Sequence, residues 1–206
     1  MDYLIADIKV FNPDIIGVTE SWTDDKISDA EIQIDGFVLF RQDRVVSKGG
    51  GVLLYIKDSL VASATKLDND FPEQVWCKLR YNGHHEMLVG VCYRTPTETV
   101  YGHIIHEQLR DLIQEVSNRD FILMGDFNYK GIDWTNNSCD TSSVESRLFL
   151  DRVNKYFVTQ HVTDLTTDNS VLDLIFSRDP DMVQNILVNG NFHTSCLLYT
   201  SPSPRD

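Results

Sequence analysis

The sequence is short of basic residues: 18 Lys and Arg stand against 31 Asp and Glu, giving a formal net charge of −13 over 206 residues. Proteins that bind nucleic acid on their own usually present a basic face, because phosphate neutralisation supplies most of their affinity. The deficit therefore argues against strong autonomous DNA binding. An acidic chain can still cleave DNA if metal ions screen the phosphate locally and another domain holds the substrate.

Cysteine and long apolar runs are also scarce. The four cysteines are scattered and form no CxxC pair, which predicts neither a zinc site nor a disulfide framework and favours a reducing compartment. No apolar run approaches the roughly 18 residues that a membrane span requires. Met1-Asp2-Tyr3 opens no secretory signal pattern. These absences predict an intracellular domain with no membrane partner, and 42% hydrophobic residues suffice for a buried core.

Two hydrophobic periodicities alternate along the chain. Helical spacing predicts three helices, at residues 4–11, 100–116 and 143–155. Short apolar runs bounded by Gly, Asn, Asp or Pro predict strands at residues 15–18, 37–40, 52–56, 75–79, 87–93, 121–124, 171–176 and 186–188. Strands interrupted by helices indicate an α/β or α+β domain whose sheets are covered by helices.

The last eleven residues, 196–206, lose this alternation and become rich in Ser and Pro. They resemble the translated read-through of a sequencing-library adapter, and a natural disordered tail is the alternative. We therefore divide the chain into a folded domain at residues 1–195 and a tail of non-native character at 196–206. The tail is left out of the fold prediction.

Carboxylates follow two of the predicted strands. Asp126 and Asn128 lie two positions apart, so their side chains point the same way from the strand end. The Asp can deprotonate a water while the Asn holds a phosphate or a metal-bound water, although an Asp-Asn turn alone is a common feature. Glu20 ends another apolar strand, where it is either a solvated terminal residue or an oxygen ligand suited to Mg²⁺ or Mn²⁺.

Two further segments carry candidate chemistry. Tyr93 and Arg94 end a strand and can both contact a phosphate, the Tyr as a neutral donor and the Arg as a charged fork. The alternative is an edge Tyr that packs beside a turn at Pro96. Asp173 lies inside a short apolar strand, where burying a carboxylate is costly unless a group pairs with it. An imidazole is a natural partner for such an Asp.

Taken in order, the four segments at residues 14–20, 91–96, 125–128 and 170–176 resemble the endonuclease/exonuclease/phosphatase superfamily. Residues 14–22, 49–55 and 172–176, together with 125–128 followed by 132–134, are similar specifically to the endonuclease domain of non-LTR retrotransposons. The resemblance implies a four-layered α/β sandwich, with two packed mixed β-sheets flanked by helices. It also implies Mg²⁺- or Mn²⁺-dependent cleavage of DNA. A reverse transcriptase domain would follow in the full polypeptide, and the site of action would be nuclear.

The same resemblance implies a role for each candidate residue. Glu20 would be the metal ligand, Tyr93 a stabiliser on the phosphate side, and Asp126 the residue that activates water. Asn128 would bind the phosphate, and Asp173 would orient a catalytic His. Ser170 and Arg94 are predicted to contact the substrate.

The sequence departs from the family pattern in two places. Where the family has Ser-Asp-His, this chain has Ser195-Cys196-Leu197, and His193 precedes Ser195 instead of following it, which favours a surface role for it. The first strand of the family, which bears an Asn near the metal, is also missing. We therefore expect a domain that lacks its first and last strands and is inert as it stands. A phosphatase of the same superfamily is a further alternative, but its usual Trp-Cys-Asp-Arg segment is not found.

Overall fold

A computed structural model describes residues 2–45, 48–81, 83, 85–96, 102–167, 169–192 and 195–202. Within these ranges the helices are α1 (Asp2–Phe11), α2 (Asp29–Ile32), α3 (Gly102–Val116) and α4 (Val144–Lys155). The strands are β1 (Ile15–Thr19), β2 (Phe37–Gln42), β3 (Val52–Lys57), β4 (Val61–Thr65), β5 (Gln74–Tyr81), β6 (His85–Tyr93), β7 (Phe121–Asp126), β8 (Ile132–Asp133), β9 (Ser138–Cys139), β10 (Thr159–Gln160), β11 (Asp173–Ser177), β12 (Val183–Phe192) and β13 (Ser195–Pro202).

Six strands form the larger sheet, in the order β10-β11-β7-β6-β5-β4. β6 and β7 run parallel, and the other neighbours are antiparallel. A parallel pair needs a crossover connection, and α3 provides it. The side chains from Met87 to Tyr93 in β6 are all buried. This fits their nearly continuous apolar sequence, since both faces of a central strand are covered.

The smaller sheet contains three antiparallel strands in the order β1-β3-β2. Helix α1 covers its outer face, where Leu4 joins a buried cluster with Ile16, Leu53 and Tyr55. The predicted four-layered sandwich is confirmed. The prediction that both sheets are mixed is not, because only the six-stranded sheet contains a parallel pair.

The two sheets pack face to face, and Gly17 of β1 lies where they approach closely. A Cβ atom at this position would lie 2.6 Å from Sδ of Met124 and 2.8 Å from Cγ2 of Val91, both in the larger sheet. Real Cβ atoms do not approach other heavy atoms so closely. A side chain at position 17 would therefore force Met124 and Val91 to shift, and glycine lets β1 lie against β6 and β7 without that rearrangement.

Helices α3 and α4 cover the outer face of the larger sheet. On α3 the buried residues include Leu109, Leu112, Ile113 and Val116, which repeat with helical spacing. An aromatic cluster fills the space beneath α4: Phe127 meets Phe176 edge-on at 5.0 Å between ring centroids, and Tyr129 stacks on Phe149 at 4.5 Å. This cluster anchors the segment that follows β7.

The predicted helices and strands all coincide with observed ones, although residues 100 and 101 at the start of the second predicted helix lie outside the described residues. The sequence did not predict α2, β4 or the short strands β8, β9 and β10. Part of the tail also has regular structure, because β13 pairs with β12 in an antiparallel hairpin. Within the described ranges, no helix is both long and apolar enough to cross a membrane.

Candidate active site

Three of the predicted site residues lie side by side across neighbouring strands. In the parallel pair β6–β7, Tyr93 is the register partner of Asp126. In the antiparallel pair β7–β11, Asp126 is in turn the partner of Asp173. Asp126 and Tyr93 end their strands and Asp173 begins its own, so all three lie along one edge of the larger sheet, the edge formed by the ends of its strands.

Glu20 reaches this edge from the smaller sheet. It follows directly after β1 with φ of 51°, in the left-handed region that non-glycine residues seldom adopt. The next two residues are held by backbone hydrogen bonds, from Ser21 N to Gly51 O (3.2 Å) and from Trp22 N to Gly50 O (2.9 Å). In this conformation Oε1 of Glu20 accepts a hydrogen bond from the Tyr93 hydroxyl. The bond links the two sheets at the candidate site.

Asp126 and Asn128 are positioned by a sharp turn at the end of β7. Gly125 has φ of 149°, and a Cβ there would lie 1.8 Å from the carbonyl oxygen of Cys92, so no side chain fits. Asn128 has φ of 54° and donates its backbone N–H to Oδ1 of Asp126 at 3.1 Å. Its side-chain amide donates to the carbonyl oxygen of Arg94 at 2.8 Å. The turn therefore orients both side chains toward the same edge.

Arg94 braces this turn from inside. Its Nε donates to the carbonyl oxygen of Phe127 at 2.6 Å, and other guanidinium nitrogens donate to the carbonyls of Asn128 and Thr95. The buried guanidinium also lies 4.3 Å from the centroid of the Tyr129 ring. These contacts give Arg94 a positioning role. Its predicted contact with substrate stays a prediction.

Ser170 does not join the cluster in this structure. Its carbonyl oxygen accepts hydrogen bonds from the backbone of Thr166 (3.1 Å) and Thr167 (3.0 Å). Among the described residues, no hydrogen bond connects the Ser170 hydroxyl with Asp173 or the other candidate residues. His193 lies outside the described residues.

The sequence missed Thr166, which supports Asp173. Its hydroxyl oxygen accepts hydrogen bonds from the backbone N–H of Leu172 (2.9 Å) and Asp173 (3.2 Å), and its side chain also hydrogen-bonds the Asp173 carboxyl. Thr166 precedes Asp173 by seven positions in a loop without periodicity. No sequence pattern marks it.

The sequence also missed a buried ion pair beneath Tyr93. Nε of Arg44 donates to Oε1 of Glu73 at 2.9 Å, and Oε2 of Glu73 accepts the backbone N–H of Gly51 at 2.7 Å. The Arg44 guanidinium lies 5.6 Å from the centroid of the Tyr93 ring. The pair therefore links the turn before β3, the strand β5 and Tyr93.

The carboxylates perturb one another. The pKa of Asp126 is raised to about 7, mainly by burial, then by the nearby charge of Asp173 and to a smaller extent by Glu20. Burial also raises the pKa of Asp173 to about 6, against the opposing effect of the hydrogen bond from Thr166. The pKa of Tyr93 is raised well above its usual value by burial and by its hydrogen bond with Glu20. The Tyr93 hydroxyl is therefore a neutral donor at physiological pH.

The atoms of this site that could bind a metal are all oxygens, the ligand type that Mg²⁺ and Mn²⁺ prefer. Across the part of the chain that the structure describes, no group of three or more His, Cys, Asp or Glu side chains lies close enough together to hold a metal ion. Mg²⁺ does not need such a group, because it is commonly bound through one or two carboxylates and keeps several waters. The mutual repulsion of the carboxylates is what a bound cation would relieve. The residues present thus fit a divalent metal.

The fold and the site together define a two-sheet α/β sandwich with an acidic, oxygen-rich centre at the edge where the sheets meet. Residues 1–198 match the Endonuclease/Exonuclease/phosphatase family. The chain belongs to this family, whose members are hydrolytic nucleases and phosphatases.

Solved structures of several nucleases and a phosphatase share the fold. The endonuclease domain of TRAS1, a telomere-specific non-LTR retrotransposon, superposes with a TM-score of 0.72 at 12% identity, covering 100% of this chain and 93% of its own. For an AP endonuclease from Archaeoglobus fulgidus the TM-score is 0.69 at 12% identity, with coverages of 98% and 93%. For ANGEL2, a 2',3'-cyclic phosphatase, it is 0.56 at 12% identity, with coverages of 98% and 76%. In a comparison with the sequences of curated proteins, none matched this chain.

Proposed function

We propose that this domain is a divalent-metal-dependent phosphodiester hydrolase that cleaves DNA, as the endonuclease domain of a non-LTR retrotransposon. The observation that carries the proposal is the row of Tyr93, Asp126 and Asp173 across adjacent strands, with Glu20 bound to the Tyr93 hydroxyl. Four residues far apart in sequence meet at one sheet edge. Their chemistry suits the hydrolysis of a phosphate ester.

In this proposal Asp126 is the general base. A general base is most effective when its pKa lies near the working pH, and the pKa of Asp126 is about 7. At neutral pH a large fraction of this carboxyl is ionised and able to accept a proton from an attacking water. Its Oδ1 is fixed by the backbone N–H of Asn128, which keeps the carboxylate oriented.

The remaining residues act on the phosphate. The Asn128 side-chain amide hydrogen-bonds both the Arg94 carbonyl and the Asp126 carboxyl, and the donor now used on Asp126 would turn to a phosphate oxygen when substrate binds. Tyr93 remains protonated, and its single O–H, which donates to Glu20 in this structure, would turn to a phosphate oxygen when Glu20 binds the metal. Glu20 is the proposed ligand of Mg²⁺ or Mn²⁺, which would supply charge stabilisation to the phosphodiester and acidify a bound water.

DNA as the substrate and a reverse transcriptase domain as the covalent partner are supported by the likeness to the TRAS1 endonuclease domain, together with the motifs at residues 14–22 and 125–128. The net charge of −13 is consistent with a division of labour, in which another domain provides most of the affinity for DNA. Nuclear action follows if the substrate is chromosomal.

A second candidate, a folded domain without turnover, is favoured by one observation: Cys196-Leu197 follows Ser195, where the resembled family has Asp-His. Neither side chain can supply the carboxylate or the imidazole. Losing one charge-stabilising group typically costs about a hundredfold or more in rate. We therefore expect the chain as given to nick DNA weakly or not at all.

Nicking of supercoiled plasmid in Mg²⁺ tests the proposal. The chain and its C196D/L197H variant are compared, each with Asp126→Asn and with Asp164→Asn, an exposed control carboxylate. The proposal predicts Mg²⁺-dependent nicking by the C196D/L197H protein that exceeds any nicking by the unsubstituted chain; Asp126→Asn should remove it and Asp164→Asn should preserve it. Nicking that survives Asp126→Asn would refute the assignment. Release of phosphate from a simple monoester, without nicking, would favour a phosphatase.

A further inference from the structure

Trp22 is an exposed aromatic residue beside the candidate site. More than half of its surface, 58%, is open to solvent, whereas Trp76 is 3% exposed. Leaving a large aromatic in water forgoes hydrophobic stabilisation, and exposed aromatics often mark binding surfaces. Trp22 follows Glu20, the proposed metal ligand, by two positions. An open indole thus lies close to the proposed reaction centre.

The backbone holds this indole in place. Trp22 has φ of 57°, a left-handed conformation that is a true outlier for a bulky residue. The hydrogen bond from its N–H to the carbonyl of Gly50 fixes that conformation, and the ring rests on Gly49, whose absent Cβ would lie 3.7 Å from the ring. Such outliers persist when the surrounding structure imposes them and tend to occur at functional sites.

A cleft of about 570 Å³ opens in front of Trp22. Its lining includes Lys26, Lys48 and Arg44. Arg44 also lies over the Tyr93 ring, so the cleft is one side chain away from the candidate site.

The charges of the cleft are mixed. Lys26 and Lys48 are exposed, and Asp24 and Asp25 line the same cleft. Arg44 is already paired with Glu73. Phosphate attraction therefore contributes little net affinity, and the ring face provides the main attraction. A ligand that binds to this ring face, without strong attraction between charges, would be a flat, apolar ring with polar groups at its edges.

We propose that Trp22 forms a stacking platform for an unpaired nucleobase flanking the scissile phosphodiester. The proposal rests on the proposed function and adds a contact with a nucleobase, a part of the substrate that the carboxylate cluster does not bind. A base in a duplex has both faces covered by its neighbours, so the platform favours single-stranded or locally opened DNA. The lysines would contact the phosphates on either side of that base.

The test measures binding of two single-stranded 12-mers in Ca²⁺ at low ionic strength. One 12-mer carries normal bases, and in the other every base is replaced by an abasic tetrahydrofuran unit, which leaves the phosphate charge unchanged. Wild-type protein should bind the base-bearing 12-mer at least about tenfold more tightly than the abasic one. Trp22→Ala should remove most of that preference, while Trp22→Phe retains part of it. Phe157→Ala, at an aromatic that is 86% exposed, is the control and should bind like wild type.

A second readout does not depend on the alanine variant folding. Quenching of tryptophan fluorescence by the base-bearing 12-mer should occur in wild type and disappear in Trp22→Phe, because Trp76 is buried and Trp134 packs against Phe149 and Phe176 in the aromatic cluster beneath α4. Equal affinities of wild type and Trp22→Ala for the base-bearing 12-mer would overturn the platform while leaving nucleic-acid binding intact. Failure of wild type to bind either 12-mer would also overturn the platform, whereas the proposed function is decided separately, by whether Asp126→Asn removes plasmid nicking.

Discussion

Asp126→Asn should remove a pH-dependent destabilisation of the metal-free protein. The pKa of Asp126 is raised from 3.8 to about 7 in the folded state, so folding stabilises its protonated form. This contribution to stability is fully present below the unfolded pKa and is lost as pH rises through 7. Between pH 5 and pH 8 the Asp126 carboxyl of the folded protein loses its proton. The stabilisation lost over this range is equivalent to about two pKa units, or about 3 kcal/mol of unfolding free energy.

The assay is urea unfolding at pH 5 and pH 8 in the presence of a chelator. Wild type should lose stability between these pH values by about 3 kcal/mol more than Asp126→Asn, which keeps the acceptor for the Asn128 N–H but cannot ionise. Asp164→Asn, at an exposed position, should show the wild-type dependence. An identical dependence in wild type and Asp126→Asn would show that Asp126 lies in a more polar environment than its burial among carboxylates implies.

Three further substitutions test the contacts around the site. Arg94→Met leaves the carbonyls of Phe127 and Asn128 without their charged donor, and we expect a loss of about 3 kcal/mol in the free energy of urea unfolding; an unchanged midpoint would refute its bracing role. Gly125→Ala places a Cβ 1.8 Å from a carbonyl oxygen and should lower thermal stability far more than Gly36→Ala, whose Cβ meets nothing within 4 Å and which costs only about 1 kcal/mol for its positive φ; equal effects would contradict the geometry. Tyr93→Phe should cost about 1 kcal/mol of stability. In the C196D/L197H protein it should lower the nicking rate by a larger factor than that free energy corresponds to, and an unchanged nicking rate would exclude Tyr93 from the reaction.

Much of the fold could be predicted because its signals are local. The apolar runs of β1, β6 and β7 and the helical spacing of α3 appear directly in the sequence. Asp126 and Asp173 could be assigned to a site because each adjoins a buried strand, where a carboxylate is costly. Their adjacency, however, depends on β11 pairing with β7 rather than with another strand, which a single sequence does not specify.

The remainder depends on tertiary contacts without a sequence pattern. The sequence predicts that Arg94 contacts a phosphate as a charged fork, and it does not predict that Arg94 braces a turn. The bracing depends on Tyr129 and on the carbonyls of a turn that lies 33 residues further along the chain. The Arg44–Glu73 pair joins residues 29 apart. The positive φ of Glu20 and Trp22 arises from pairing with the Gly50-Gly51 backbone, and no propensity of these residues favours it.

The central claim is that Glu20 and Asp126 belong to one metal-dependent site. Carboxylate titration by NMR, without and with Mg²⁺, tests it most directly. We expect the pKa of Asp126 to lie near 7 without metal and to fall by about one unit or more in saturating Mg²⁺, because a nearby cation favours the carboxylate. Glu20→Gln should abolish that fall. A pKa of Asp126 that Mg²⁺ leaves unchanged, or a fall that persists in Glu20→Gln, would contradict the claim.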